Sequence, residues 1–113
     1  MVKLSVGDID GGVKFYNTVF GATVAVTMGE GVKIVTFPKG GPGLVLLGGA
    51  ANDASMKGAF IIQVPDLNAS EALAIANGAT KQQDFAGTPG GQAAKSVDLL
   101  DPWGNQIEIL QLG

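Results

Sequence analysis

No cysteine and no histidine occur among the 113 residues, and all seven basic side chains are lysine. Without cysteine there is no disulfide, no thiolate nucleophile and no zinc–thiolate centre. Without histidine the commonest general base and the commonest transition-metal ligand are both missing. Arginine supplies bidentate contacts to phosphate and guanine, so its absence argues against a nucleic-acid partner. The net charge of −3 is too small to decide the sign of any other partner. Apolar runs such as 43–51 fall far short of a bilayer span, so no membrane partner is expected. Residues 1–10 show neither an extended apolar run nor a small-residue cleavage pattern, and a cytoplasmic location is the expectation.

What is present points to a packed chain. Hydrophobic residues make up 46% and charged ones 15%, which excludes disorder and predicts a core. The length suits a single compact domain. The 18 glycines are scattered, without the period of collagen or the bias of a linker.

The chain is written twice. Val6-Gly7-Asp8-Ile9-Asp10 returns as Val64-Pro65-Asp66-Leu67-Asn68, and Gly21-Ala22-Thr23 returns as Gly78-Ala79-Thr80. Gly41-Pro42-Gly43 lies against Pro102-Trp103-Gly104. Each copy reads strand, turn, helix, then three strands, with module 1 at about 1–50 and module 2 at about 58–113. The first helix is expected from about Asp10 to Phe20, burying Val13, Tyr16, Val19 and Phe20, and ended by Gly21. Strands are expected at 2–6, 23–28, 32–38 and 44–49. The second copy predicts strands at 60–64, 80–84, 93–100 and 106–112. Its helix, 68–77, is expected to open on a capping box from Asn68 to Glu71, to bury Ala72, Leu73 and Ala76, and to end at Gly78. Neither copy buries a sheet face alone, so the two must pair. The fold class is α+β, two tandem βαβββ modules forming a curved, mostly antiparallel sheet groove.

Tandem βαβββ units, the opening Asp8, Asp10, Phe15 and Tyr16, and the closing segment Asp101-Pro102-Trp103-Gly104-Asn105-Gln106-Ile107-Glu108 together resemble the vicinal oxygen chelate superfamily. That group holds glyoxalases, bleomycin-resistance proteins and extradiol dioxygenases. The resemblance covers nearly the whole chain. It implies a divalent metal held by four side chains, one in the first and one in the last strand of each unit. Counting from Asp8 and Asp66, and aligning Gly43 with Gly104, those positions fall on Met1, Ala59, Leu47 and Glu108. Only Glu108 is a ligand-capable carboxylate, and one carboxylate does not hold a divalent metal against water. No metal and no cofactor are therefore expected.

Strand alternation then places Lys3, Ser5, Leu47, Ala59, Ile61, Gln63, Gln106 and Glu108 on the groove face. Two readings of that face stand side by side. Lys3, Ser5, Gln63 and Gln106 are either solvated residues of an open sheet or the polar groups of a small-molecule site. Glu108 needs a cation or donors there, from Lys3 or from a ligand amine. Trp103 and Phe37 either stack on a planar ligand or pack in turns and core, and Tyr16 reads as helix packing. Gly40-Gly41-Pro42-Gly43 precedes a strand, so it is a turn and not a phosphate cradle. The leading function is a metal-independent small-molecule binding protein of the glyoxalase/bleomycin-resistance type, sequestering a toxic or antibiotic ligand. The alternative is a metal-independent lyase, isomerase or cyclase with Glu108 as acid/base. A third is an accessory domain whose sheet face is an interface. Whether the chain is an enzyme stays open, and a homodimer is expected because the paired units leave apolar sheet surface to cover.

Overall fold

A computed structural model describes residues 1–41 and 43–113; the expected turn through Pro42, and the repeat match that uses it, lie outside them. Among the described residues two helices of α type and eight strands follow in the order β1 (Val2–Gly7), α1 (Ile9–Phe20), β2 (Thr23–Thr27), β3 (Val32–Thr36), β4 (Leu44–Gly48), β5 (Ala59–Gln63), α2 (Leu67–Ala76), β6 (Thr80–Gly87), β7 (Ala94–Leu100) and β8 (Gln106–Leu112). This is the α+β, twice-written βαβββ architecture that the repeat predicts. Two compact units result, Met1–Ala59 and Phe60–Gly113.

In the first unit the sheet order is β1-β4-β3-β2, with β1 parallel to β4 and the other neighbours antiparallel. Leu4, Val6, Val35, Leu44 and Leu46 are fully buried, on the face that also receives Phe15, Tyr16 and Val19 of α1. The second unit repeats the order as β5-β8-β7-β6. Its core is Val97, Leu99, Ile107 and Ile109, with Phe60 and, from α2, Leu67 and Ala74.

The repeat extends to details. Asp8 and Asp66 both cap their helices, the first accepting from Asp10 N–H and the second from Ala69 N–H. β2 and β6, the matching edge strands of the two sheets, carry a bulge at equivalent places, between Val24 and Val26 and between Lys81 and Gln83. A bulge twists an edge strand and blunts its pairing with other chains.

Three expectations need correction. The second helix starts at Leu67 under Asp66, so the Asn68–Glu71 capping box does not form; Glu71 instead pairs with Lys81 at 3.4 Å. The buried face also differs: Leu67 and Ala74 are buried, while Leu73 stays 41% exposed and Ala72 and Ala76 are exposed. An alanine-rich helix has little directional pattern, so the sequence does not mark which side it buries. In α1, Phe15 is buried, whereas Val13 and Phe20 are half-buried.

Gly12 is a packing requirement as well as a weak helix former. A Cβ there stands 2.6 Å from Val6 Cγ2 and 2.9 Å from Val6 Cβ. Alanine gains about 1 kcal/mol in helix propensity, but overpacking costs about 1–3 kcal/mol. Against a stiff valine held in the core, the upper part of that range applies, so Gly12→Ala is expected to destabilise by about 2 kcal/mol in urea unfolding. Adding Val6→Ala should recover part of the loss; strict additivity of the two changes would show that this contact is not the cause.

Candidate functional site

Each sheet has one face free of its helix. In the first unit this face carries two rungs. One runs through Lys3, Val45, Ile34 and Val26, the other through Ser5, Leu47 and Val32. Val26 is 46% exposed and Met28, beyond it, is 56% exposed, so the face is apolar with an exposed lysine on its edge strand. Ser5 departs from the expectation of an open groove residue. It is fully buried, and its hydroxyl accepts from Asp53 N–H at 3.1 Å. Nearby, Asn52 Oδ1 accepts from Gly7 N–H at 2.9 Å. Both contacts tie the polar connection 51–58 onto β1, so Ser5 acts in the fold. Asp53 is itself held by Ser55, whose hydroxyl and N–H both donate to it and keep its carboxyl below the usual range.

In the second unit the corresponding face is more polar. Glu108 on β8 stands opposite Asp98 on β7, and Asp98 stands opposite Gln83 on β6. Gln83 Nε2 donates to Asp98 Oδ2 at 2.8 Å. Flanking rungs pair Gln106 with Leu100, and Leu110 with Ser96 and Phe85. Asp98 and Glu108 are half-buried, while Gln106 is exposed. On β5, beside β8, Ala59, Ile61 and Gln63 are exposed, Ile61 at 57%. Two carboxylates directly opposite on one face repel each other. Asp98 was the member missing from the expected face. It lies as far before Trp103 as Glu108 lies after it, which the hairpin turn makes legible.

The cross-strand register also corrects the alignment of the two copies. Ile34 opposite Val45 is matched by Asp98 opposite Glu108, so the counterpart of Glu108 is Val45 and not Leu47. Leu47 answers to Leu110. The error came from matching glycines across turns of unequal length, residues 37–43 and 101–105. Val45, Leu47 and Ala59 offer no metal donor, and Met1 offers only a thioether. Among the described residues no three His, Cys, Asp or Glu side chains gather as a metal set. The residues present do not fit the divalent metal that the resemblance implies.

The closing motif proves to be a turn. Asp101 is 3% exposed; its Oδ1 accepts from Trp103 N–H at 2.9 Å and Asn105 N–H at 2.8 Å. Its Oδ2 accepts from Asn105 Nδ2 at 2.9 Å, and Asn105 is fully buried. Phe37 packs edge-on against Phe20, and Tyr16 is wholly buried against Phe15 and Phe20. On the helix side of the second sheet, Lys81 lies 3.0 Å from Asp84 and 3.4 Å from Glu71. The Asp84 hydrogen bond raises the Lys81 pKa above that of an ordinary lysine.

Charge divides unevenly. The first unit holds five lysines against four acidic residues, the second two lysines against six. No helix among the described residues is long and apolar enough to cross a membrane.

A family model described as Glyoxalase/Bleomycin resistance protein/Dioxygenase superfamily matches residues 1–109. Solved structures agree on the fold. A glyoxalase/bleomycin resistance protein from Albidiferax ferrireducens aligns over 96% of this chain and 94% of its own at 21% identity, with a TM-score of 0.71. A family enzyme from Burkholderia phytofirmans covers 98% and 95% at 18% identity, with a TM-score of 0.76. A lactoylglutathione lyase from Agrobacterium tumefaciens covers 96% and 89% at 18% identity, with a TM-score of 0.69. No curated protein matches the chain.

Proposed function

Because the chain belongs to the glyoxalase/bleomycin resistance protein/dioxygenase superfamily, we propose that it binds a small organic molecule on its helix-free sheet faces and does so without a metal. The observation that carries this reading is the row Gln83, Asp98 and Glu108 set among exposed apolar residues such as Ile61 and Phe85. A few polar groups within an apolar surface are the usual composition of a small-molecule site. On the second sheet Glu108 is the polar anchor, with Ala59, Ile61, Gln63 and Gln106 as further contacts; on the first unit's own face the contacts are Lys3 and Leu47. The ligand is sequestered as a toxic or antibiotic compound would be. The fold by itself does not decide among the chemistries it hosts, so the absence of a fitting metal set carries the choice of binding over metal-assisted turnover.

The helix-free face of each unit also motivates a homodimer. Val26 and Met28 in the first unit, and Ile61 and Phe85 in the second, are each more than 40% exposed, and a second copy is the proposed cover. Native mass spectrometry of the purified protein tests both ideas together. The expected spectrum shows twice the 11.4 kDa chain mass, a co-purifying organic mass, and no metal at one per chain. Adding zinc, nickel or manganese should leave the melting temperature unchanged, since binding to the native state raises it by mass action. A rise of several degrees that saturates at one equivalent overturns the metal-free reading. Conversion of the captured molecule on incubation would favour a lyase, isomerase or cyclase with Glu108 as acid/base.

A further inference from the structure

The two copies of the repeat differ most where helix meets edge strand. In the first, α1 packs on all four strands of its sheet. Val13 of the helix and Val24 of β2 are apolar there. Counting from the matching caps and helix-ending glycines, Glu71 and Lys81 occupy those places in the second copy. There α2 packs chiefly on β7 and β8, and a cleft of about 430 Å³ opens between its first turns and β6. β6 also runs eight residues against five in β2. The added rung of Ala86 opposite Lys95 extends the wall of the cleft. Apolar side chains at these places in one copy have thus given way to charged ones beside a cleft in the other, within the same molecule.

The charges in the cleft are mostly committed. Lys81 bridges Asp84 and Glu71, which leaves Lys95. That lysine is exposed, and among the described residues no carboxylate lies within ion-pairing distance of it. Asn68 lines the cleft with an amide, Leu67 and Ala86 with apolar surface. The volume lies within the range of small-molecule sites.

We propose that this cleft is a second ligand site, distinct from the helix-free sheet faces, for a small organic monocarboxylate. The Lys95 ammonium and the Asn68 amide hold its carboxylate, and Leu67 and Ala86 receive its apolar body. Glu71 and Asp84, close by, disfavour anions of higher charge. An exposed lysine contributes little, so the binding is weak and depends on ionic strength.

Titrating the intact, isotope-labelled protein with benzoate, while following backbone amides by NMR, tests this. Benzoate should move the signals of Asn68, Glu71 and Lys95 along a saturating curve. Benzamide, neutral, and phthalate, a dianion, should not. Lys95→Met should weaken benzoate binding about fivefold or more, and Lys95→Arg should restore most of it. The site is rejected if benzoate gives no saturation at tens of millimolar, if benzamide acts equally, or if Lys95→Met binds as well as the parent protein. Shifts confined to 106–110 also reject it, while leaving the sheet-face reading in place.

Discussion

Replacing Asp101 by alanine is expected to lower the unfolding free energy by about 3–5 kcal/mol, the largest single-residue effect anticipated in this chain. The side chain accepts hydrogen bonds from two backbone N–H groups and from the fully buried Asn105 amide. Each donor left unsatisfied in the interior costs about 1–3 kcal/mol. Asp101 N–H also donates to Asn105 O, so the five residues close on themselves and fix the β7–β8 hairpin. Asp101→Asn keeps one acceptor and turns an N–H toward an N–H, so an intermediate loss is expected. Urea unfolding followed by tryptophan fluorescence measures both, because Trp103 sits within the turn. A loss below about 1 kcal/mol for alanine would mean that the turn holds its shape without the carboxylate. The same hairpin sets Asp98 against Glu108, so a register slip here would dismantle the candidate site as well.

Glu108→Gln is expected to divide stability from binding. Removing one of two opposed carboxylates relieves a repulsion and lets an amide donate to Asp98, which raises stability by about 0.2–1 kcal/mol on the scale of cross-strand pairs. Binding of the molecule identified by mass spectrometry should weaken by about 1.5–3 kcal/mol, the range for a hydrogen bond to a charged group. Calorimetry reports the second quantity and urea unfolding the first. Lys3→Met, measured in parallel, tests the first unit's own face: affinity for an anion bound there falls, and affinity for a cation is spared or improved. Should Glu108→Gln destabilise the fold while leaving affinity intact, Glu108 belongs to the sheet alone and the proposed anchor is lost.

Much of the fold was legible because the chain repeats itself. Two aspartates before two helices, two glycines after them and alternating strands between glycine turns each carry a local physical cause. A short carboxylate caps free N–H groups, a left-handed glycine ends a helix, and period-two patterning marks a strand. These signals placed all ten elements to within a few residues. The phase of α2 was not legible, since a run of alanines buries equally well on any side.

For the candidate site, composition decided what is absent and the tertiary structure decided what stands together. No histidine, no cysteine and no ligand-capable side chain at Leu47 or Ala59 are properties of the sequence, and no folding changes them. Which residue faces Glu108 depends on hydrogen-bond register, and turn length sets register. The 37–43 and 101–105 connections differ in length, so a match of glycines between copies misled by two residues, from Val45 to Leu47. Burial of Ser5 likewise depends on a connection folding back from 48 residues away, which alternation within β1 does not report. Sequence alone determined the family and the elements, because those follow from residue types and near neighbours. Only the folded chain decided that Asp98 opposes Glu108, that Ser5 is spent on the fold and that α2 stands off β6, because those are contacts between segments far apart in the chain.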